Sequence, residues 1–209
     1  HVPNEYVAIF DLVGVDWEAT SGFGYNREKS DRRAFFYNIG GVEAYDKANV
    51  NSGWICWKFN SRASDGTLYS TDNYSIFSSA DFPMFRLAEM YLIYAEAQAR
   101  LDGGTTTDSK AMGYIKELRD RAGMTTPSSI NLDFILKERA CELMWEGHRR
   151  TDLIRYGYFT AMSFPWPYKG GIPDGKVALP SYRTVYPLLQ SDLSENSNLV
   201  QNTGYQSNN

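Results

Sequence analysis

Cysteine and histidine are scarce in this chain of 209 residues, which contains two cysteines, Cys56 and Cys141, and two histidines, His1 and His148. Two cysteines do not build a disulfide-stabilised scaffold, and so few histidines and cysteines leave almost no ligands for a transition metal. Glycine pairs occur in expected turns and match no phosphate-binding spacing. We therefore expect no metal and no cofactor, and we interpret both cysteines as small buried hydrophobic residues.

A surplus of positive charge and a long apolar run are also missing. Lys and Arg number 21 against 25 Asp and Glu, which gives a formal net charge of −4. Without a basic surplus the chain is poorly suited to a phosphate backbone, so we expect no nucleic-acid partner. No apolar run approaches the roughly 20 residues that span a bilayer. With 43% hydrophobic and 22% charged residues, the composition is that of a globular protein of one or at most two domains.

Aromatic residues are abundant, at 15% of the chain, with 15 Tyr, 11 Phe and 5 Trp. Flat rings that stay exposed can stack on the weakly polar C–H faces of sugars, whereas buried rings fill gaps between loops and helices. Both interpretations remain open for the aromatics expected in loops, and these are the candidate glycan-binding residues: Trp17, Tyr25, Trp166 and Tyr168. Aromatics expected in strands or helices are assigned to the core: Trp54, Trp57, Tyr91 and Tyr94.

Residues 81–157 carry the helical pattern of the chain. Apolar and alanine residues recur at spacings of three and four from Asp81 to Gly103, with Met84 at the start of the apolar face, which predicts a first helix. A second predicted helix is capped by Asp108 and ends at Gly123. The pair forms a helical hairpin of the tetratricopeptide type.

Two further helices are predicted over 131–147 and 149–156, the last ending before Gly157. Two aromatic runs, 33–39 and 54–59, predict short strands, and a long polar loop runs on to Ser79. The fold class is therefore mainly α, with long loops and a few short strands. The expected regions are 1–80, with loops and short strands, 81–157, which is helical, and 158–209, an irregular C-terminal wrap.

The densest charged cluster begins within the third predicted helix and includes Glu138, Glu142 and Glu146. Two carboxylates can act as acid and base in glycoside cleavage, and Glu142 with Glu146 is the candidate pair. The many neighbouring arginines argue otherwise, because they lower a carboxylate pKa whereas a general acid needs a raised one. We interpret the cluster as an ion-pair network that fixes the angle between the third and fourth helices, and we expect no catalytic residue.

Several segments in order resemble the signatures of one family. Asp81–Ala97 matches the pattern D-x-P-x-x-R-x-A-E-x-Y-L-x-x-A-E-A, and Ile115–Gly123 resembles a following "I-N-x-L-R-x-R-A" helix. Residues 138–157 match E-R-x-x-E-L-x-x-E-G-x-R-x-x-D-L-x-R-x-G. Residues 186–205 resemble the closing "P-I-P…N-P-N-L-x-Q-N-P-G-Y" segment, with Thr203 where Pro is usual. On these motifs the chain resembles the C-terminal portion of the SusD/RagB family.

The resemblance implies a non-enzymatic, lipid-anchored protein of the bacterial outer-membrane surface. Its implied partners are an oligosaccharide or polysaccharide and a SusC-like TonB-dependent transporter, to which it delivers nutrient. Membrane attachment is expected only through an N-terminal lipid anchor that lies outside this sequence. An alternative is a helical-repeat interaction module that contacts the transporter without binding glycan itself. We also expect an apolar helical flank that promotes self-association.

Overall fold

The computed structural model describes residues 2–19, 21–38, 53–59, 65, 67 and 81–206. The chain divides into two compact units, residues 1–149 and residues 150–209. Most of the regular structure in the described residues is helical, and the strands are two residues long. The mainly α fold predicted from the sequence is therefore confirmed. Most of the predicted polar loop between Phe59 and Asp81 lies outside the described residues.

The first unit contains most of the regular structure. Its helices and strands follow each other as α1 (Asn4–Val7), β1 (Phe36–Tyr37), β2 (Ile55–Cys56), α2 (Leu87–Leu101), β3 (Thr105–Thr106), α3 (Ser109–Ala122), β4 (Ile130–Asn131) and α4 (Leu132–Glu142). Helix α5 (Arg149–Arg155) leads into the second unit. There, two short 3-10 turns, Lys169–Gly171 and Ser181–Thr184, and a final helix α6 (Gln190–Glu195) punctuate an otherwise irregular chain.

The predicted helical hairpin is formed by α2 and α3. Asp108 caps α3 because its carboxylate accepts hydrogen bonds from the N–H groups of Lys110, at 3.1 Å, and Ala111, at 2.9 Å. Gly123 ends α3 in the left-handed conformation, with a φ of 74°. Both ends of the second predicted helix are thus confirmed.

Helix α2 begins at Leu87, six residues later than the sequence suggests. Arg86 precedes it in an extended conformation, with φ of −133° and ψ of 148°. A proline at position 83 also biases the preceding residue towards extended backbone. Met84 therefore precedes the helix and is exposed, which corrects its assignment to the apolar helix face.

Helix α4 ends at Glu142, five residues before the predicted end at Gly147. Trp145 and Gly147 both adopt positive φ, 64° and 84°, so the chain turns there instead of continuing the helix. The fourth predicted helix is confirmed as α5 to within a residue. Sequence periodicity overestimates α4 because Leu143 and Met144 are buried without being helical.

Two antiparallel pairs of strands complete the first unit. β1 pairs with β2, with Phe36 opposite Cys56, and β3 pairs with β4, with Thr106 opposite Ile130. The first pair lies within the two predicted strand segments but is shorter than either of them. The second pair was not predicted, because two residues are too few to show an alternating pattern.

Helix α4 lies between two hydrophobic cores. One core joins α2, α3 and α4 and includes Leu92, Ala95, Ala99, Ala111, Ile115, Leu118 and Ile135. The other core joins the N-terminal segment and the first sheet with the end of α4, and includes Val7, Phe10, Phe36, Trp54, Cys141 and Met144. Because both sides of α4 are covered, three of its charged residues, Glu138, Arg139 and Glu142, are buried.

Buried carboxylates on α4 need cationic partners, because an unpaired buried charge is very costly. Glu138 is paired with Arg119 of α3 and with Arg33, whose Nη1 lies 3.0 Å from Oε2 of Glu138. Glu142 is paired with Arg121 of α3, at 2.5 Å, and with Arg86, at 3.1 Å. These contacts tie the helical hairpin and the segment before β1 to a single helix.

Glu146 extends the same network beyond the end of α4. Two nitrogens of Arg86 donate hydrogen bonds to the carboxylate of Glu146, Nε at 2.6 Å and Nη2 at 2.8 Å. Lys58, which follows β2, donates to Glu146 at 2.5 Å and to the main-chain oxygen of Glu142 at 2.8 Å. Cations at the last carbonyl groups also complement the negative end of the helix. The predicted ion-pair network exists, and in the first unit it joins α4 to the start of α2, to α3 and to the first sheet. That it fixes the angle between the third and fourth predicted helices stays a prediction.

The charge environment lowers the pKa of Glu142. Burial alone raises the pKa of a carboxyl group, but the positive charges of Arg121 and Arg33 and the hydrogen bonds from Arg121 and Arg86 outweigh it. A lowered pKa in the folded state stabilises the protein above the ordinary value of 4.5 for glutamate. This contribution is lost as the pH falls through the lowered pKa.

An apolar stripe on α2 has no cover among the described residues. Leu87, Met90, Ile93 and Leu101 lie on one side of the helix and are 65, 44, 45 and 81% exposed. Phe82 and Phe85, just before α2, are 61 and 81% exposed. We name these six residues the apolar α2 face. It matches the apolar flank expected from the sequence.

The apolar α2 face leads us to expect self-association of the 209-residue chain. Replacing Met90 and Ile93 together by glutamate is expected to reduce the mass measured by light scattering at a given concentration. The same pair of substitutions at Met162 and Ile172, which are 61 and 44% exposed, is the matched control. Equal effects of the two double variants, or a wild-type chain that is monomeric throughout, contradict the prediction.

The buried network predicts a large cost for Glu142→Gln, because three cationic partners lose their countercharge. We expect the free energy of unfolding at neutral pH to fall by about 3 kcal/mol. The deficit should shrink as the pH falls from 4.5 towards the lowered pKa, because Glu142 of the wild type is protonated near 4.5 in the unfolded chain and only below its lowered pKa in the folded one. Urea unfolding at several pH values measures both effects.

Asp120→Asn is the control for this variant. Asp120 also pairs with a cation, Lys116, but the two side chains are 56 and 63% exposed, and exposed pairs contribute little. A loss for Glu142→Gln no greater than that for Asp120→Asn, or one that does not change with pH, would show that the network does not stabilise the fold.

Candidate functional site

The candidate carboxylate pair is not accessible to a sugar. The side chains of Glu142 and Glu146 are 2 and 1% exposed, and arginine or lysine nitrogens contact both carboxylates. The pKa of Glu142 is lowered, which is the opposite of what a general acid requires. These two residues are therefore structural, as the sequence interpretation has it. In the part of the chain that the structure describes, no group of three or more His, Cys, Asp or Glu side chains is arranged to hold a metal ion.

Tyr25, one of the four candidate aromatics, belongs to the second hydrophobic core. It is 9% exposed, and its ring is 6.4 Å from that of the fully buried Trp54. Its hydroxyl donates to the main-chain oxygen of Ala34 and accepts from the N–H of Phe36 at 3.2 Å. The ring and the hydroxyl of Tyr25 hold β1 in place, so neither is available to stack on a sugar.

Trp17 is more accessible, with 36% of its surface exposed. Its ring meets Trp54 edge to face, with ring centres 6.3 Å apart and planes at 85°. Trp54 is anchored in turn by a 2.7 Å hydrogen bond from its Nε1 to Asn4. The Trp17 ring is thus partly exposed and rigidly supported, and Trp17 remains a candidate glycan-binding residue.

Trp166 and Tyr168 lie in the second unit, in a loop that is built around a buried lysine. Lys169 is 1% exposed, and its ammonium group donates to the main-chain oxygens of Ala161 and, at 3.0 Å, Phe164. Burial lowers the pKa of this ammonium group. Tyr168, at a φ of 61°, and the two following glycines make the turn possible.

Two neighbouring side chains, one aromatic and one cationic, contact the Trp166 ring. It stacks on Phe159, with ring centres 5.6 Å apart and planes at 29°, and the ammonium nitrogen of Lys169 is 4.5 Å from its centre. Trp166 and Tyr168 are both half-buried. They are brought into one loop, and both keep part of their surface accessible within the second unit.

The first sheet carries an aromatic surface that the sequence interpretation assigns in part to the core. Phe36 is buried, and its neighbours Phe35 and Tyr37 are on the opposite face of β1, because successive side chains in a strand alternate. Trp57, whose N–H donates to the oxygen of Phe35 at 2.8 Å, is 48% exposed. The expectation that Trp57 is a core residue is therefore corrected.

The rings on this surface support each other. Tyr37 and Trp57 stack with ring centres 5.6 Å apart and planes at 19°, and Phe23 meets Tyr37 edge to face at 5.4 Å. The guanidinium of Arg27 lies 4.2 Å from the centre of Phe23 and 5.1 Å from that of Phe35. We name Phe23, Arg27, Phe35, Tyr37 and Trp57 the aromatic sheet face. It offers partly open rings bordered by a hydrogen-bond donor.

Tyr91 and Tyr94, by contrast, pack between the two helices of the hairpin. The ring of Tyr91 stacks on Tyr114 of α3 with centres 4.1 Å apart, and Tyr94 meets Tyr114 edge to face at 5.4 Å. Their interpretation as packing residues is confirmed. The alternation of outer and inner residues in the run from 33 to 37 is the sequence signal that distinguishes the aromatic sheet face from such rings.

Comparison with known proteins gives one consistent result. The sequence model described as the SusD family matches residues 13–205. The starch-binding protein SusD of Bacteroides thetaiotaomicron is 36% identical over 180 residues, covering 84% of this chain and 31% of that protein. The chain therefore spans about a third of the length of that relative.

Solved structures show the same fold. A SusD superfamily protein from Bacteroides vulgatus is 26% identical and has a TM-score of 0.54, over 85% of this chain and 36% of that one. Surface glycan-binding protein A from Bacteroides uniformis is 21% identical and has a TM-score of 0.58, over 82% of this chain and 37% of that one. The helical hairpin, the buried charge network and these matches together establish that the chain belongs to the SusD family.

Proposed function

We propose that this chain is part of a non-catalytic protein that captures oligosaccharides or polysaccharides at the bacterial cell surface. The observation that carries the proposal is the aromatic sheet face, where Phe35 and Trp57 are 40 and 48% exposed. Open rings suit the C–H faces of sugars. Membership of a family whose relatives include a starch-binding protein supports the same conclusion.

The border of the aromatic sheet face supplies polar groups that suit sugar hydroxyls. Arg27 and its neighbours Asn26, Glu28 and Lys29 are exposed. The turn they form is fixed, because the side-chain oxygen of Asn26 accepts from the N–H groups of Glu28 and Lys29 at 3.1 and 3.2 Å. A pre-organised turn costs less ordering when it binds. Rings and polar groups thus occur together on a rigid support.

A role in binding rather than catalysis is supported by the state of the acidic cluster. The carboxylates of Glu138, Glu142 and Glu146 are held in ion pairs and are 1 to 2% exposed. They stabilise the scaffold and do not face a substrate. Trp17 in the first unit, and Trp166 with Tyr168 in the second, are proposed as further glycan contacts.

We propose delivery of the captured glycan to a SusC-like TonB-dependent transporter as the role of the complete protein. The family resemblance supports this step, and it likewise supports our proposal of a lipid anchor and an outer-membrane location. In the described part of the chain, no helix is long and apolar enough to cross a membrane. Our second candidate function is that of a helical interaction module that contacts the transporter without binding glycan, and the exposed apolar α2 face favours it.

Trp57→Ala tests glycan capture at the aromatic sheet face. We expect the variant to bind maltoheptaose at least about tenfold more weakly than the wild type, because it loses the stacking ring. Isothermal titration of the same chain with maltoheptaose and with other neutral oligosaccharides measures the change. Maltoheptaose is the first probe because the relative at 36% identity is named as starch-binding.

Trp145→Ala is the matched control, since Trp145 is 52% exposed and lies in the turn after α4. Tyr25→Phe is a second control that removes a buried hydroxyl and is expected to lower stability while leaving affinity unchanged. Equal losses of glycan affinity in Trp57→Ala and Trp145→Ala would count against the proposal, and so would a wild-type chain that binds no neutral glycan. Either result would favour the second candidate function, a helical module that contacts the transporter without binding glycan.

A further inference from the structure

Arg27 differs from the arginines of the buried network, because it has no carboxylate partner. The network arginines form ion pairs with aspartate or glutamate, as at Arg33, Arg86, Arg119 and Arg121. Among the described residues, the guanidinium of Arg27 has neither an ion pair nor a hydrogen bond. Arg27 is also exposed. Its positive charge and its N–H groups are therefore accessible to a ligand.

Two aromatic rings hold the guanidinium of Arg27 on the aromatic sheet face. It lies 4.2 Å from the centre of Phe23 and 5.1 Å from the centre of Phe35. The face of an aromatic ring attracts a cation, but it does not accept the strong hydrogen bonds that the five N–H groups of a guanidinium can donate. The rings thus position the charge and leave its donors available.

The turn that carries Arg27 is anchored at both ends. The N–H of Asn26 donates to the main-chain oxygen of Val13 at 2.9 Å. The hydroxyl of the buried Ser30 donates to the main-chain oxygen of Asn26 at 2.6 Å and accepts from the N–H of Val13 at 2.9 Å. Because this backbone is already ordered, a ligand that binds Arg27 incurs little further loss of conformational freedom.

The same turn is locally positive, although the whole chain has a formal net charge of −4. It contains two cations, Arg27 and Lys29, and one anion, Glu28. Glu28 is the neighbour of Arg27 in sequence, but in the described structure the two side chains form no ion pair. A local positive charge beside partly exposed rings favours an anionic ligand at this surface.

A carboxylate is the anion that best matches a guanidinium, because two parallel N–H groups can donate to its two oxygens. In a uronic acid, the carboxylate replaces the hydroxymethyl group at the edge of a pyranose ring. The C–H face of the same ring remains able to stack on an aromatic side chain. A uronic acid that stacks on Phe35 can therefore direct its carboxylate towards Arg27.

We propose that Arg27 makes the aromatic sheet face selective for glycans that contain uronic acids over neutral glycans of the same backbone. This inference rests on the proposed function, because it names the class of sugar that the same surface prefers. Arg27 donates to the carboxylate, while Phe35 and Trp57 contact the sugar rings. The contact is exposed and therefore screened by salt, so the preference decreases at high ionic strength.

The test compares two ligands by isothermal titration of the 209-residue chain at low ionic strength. One is maltoheptaose, and the other is maltoheptaose whose hydroxymethyl groups are oxidised to carboxylates. We expect the wild type to bind the acid at least about threefold more tightly than the neutral glycan. In Arg27→Gln the ratio of the two affinities is expected to fall to about one, because glutamine has no charge. Since both affinities are measured on the same variant, a loss of folded protein leaves their ratio unchanged.

Arg183→Gln is the matched control. Arg183, in the second unit, is also exposed and lies 5.3 and 5.5 Å from the ring centres of Tyr182 and Tyr205. This variant is expected to keep the preference of the wild type. The inference is overturned if the wild type binds both glycans equally, or if the two variants lower the preference equally, and glycan capture then still stands. Binding of neither glycan contradicts the proposed function and this inference together.

Discussion

The burial of charge along α4 is the constraint on which the first unit depends. Glu138, Glu142 and Glu146 are nearly inaccessible, and each is placed where cations from other parts of the chain reach it. Hydrophobic packing on two sides of α4 leaves no water to solvate these groups. The arginines at the start of α2 and before β1 must therefore occupy one arrangement, and this fixes the hairpin and the first sheet against the same helix.

A consequence for function is that acidic residues and aromatic residues have separate tasks. The acidic side chains form buried ion pairs within the scaffold. Rings such as Phe35 and Trp57 remain partly exposed on the first sheet, which the same ion pairs hold in place. Lys58 illustrates the connection, since it follows Trp57 directly and anchors that part of the chain to Glu146. A rigid support for exposed rings reduces the ordering cost of binding an extended, flexible sugar chain.

Sequence periodicity predicted the helices well where caps and apolar spacing agreed, as at Asp108 and Gly123. It misplaced helix ends that depend on tertiary contacts. Arg86 has an extended backbone while its side chain pairs with Glu146, so α2 begins later than predicted. Helix α4 ends at Glu142 although the next two residues are apolar. Local patterns contain no information about such distant partners.

The candidate aromatics show the same limit. A loop position left both interpretations open for Tyr25, and the structure shows that it is buried, whereas a strand position suggested that Trp57 is buried, and the structure shows that it is exposed. Hydrogen bonds between Tyr25 and residues of the β1 segment explain why Tyr25 is buried. Trp57 lies one residue beyond the end of β2, and its ring stacks on the half-buried Tyr37.

The most direct test of glycan capture is a crystal structure of the chain with a bound neutral oligosaccharide. The account predicts sugar rings stacked on Trp57 and Phe35, with hydroxyls near Arg27. A glycan held at Glu142 and Glu146 instead, with their ion pairs broken, would contradict it.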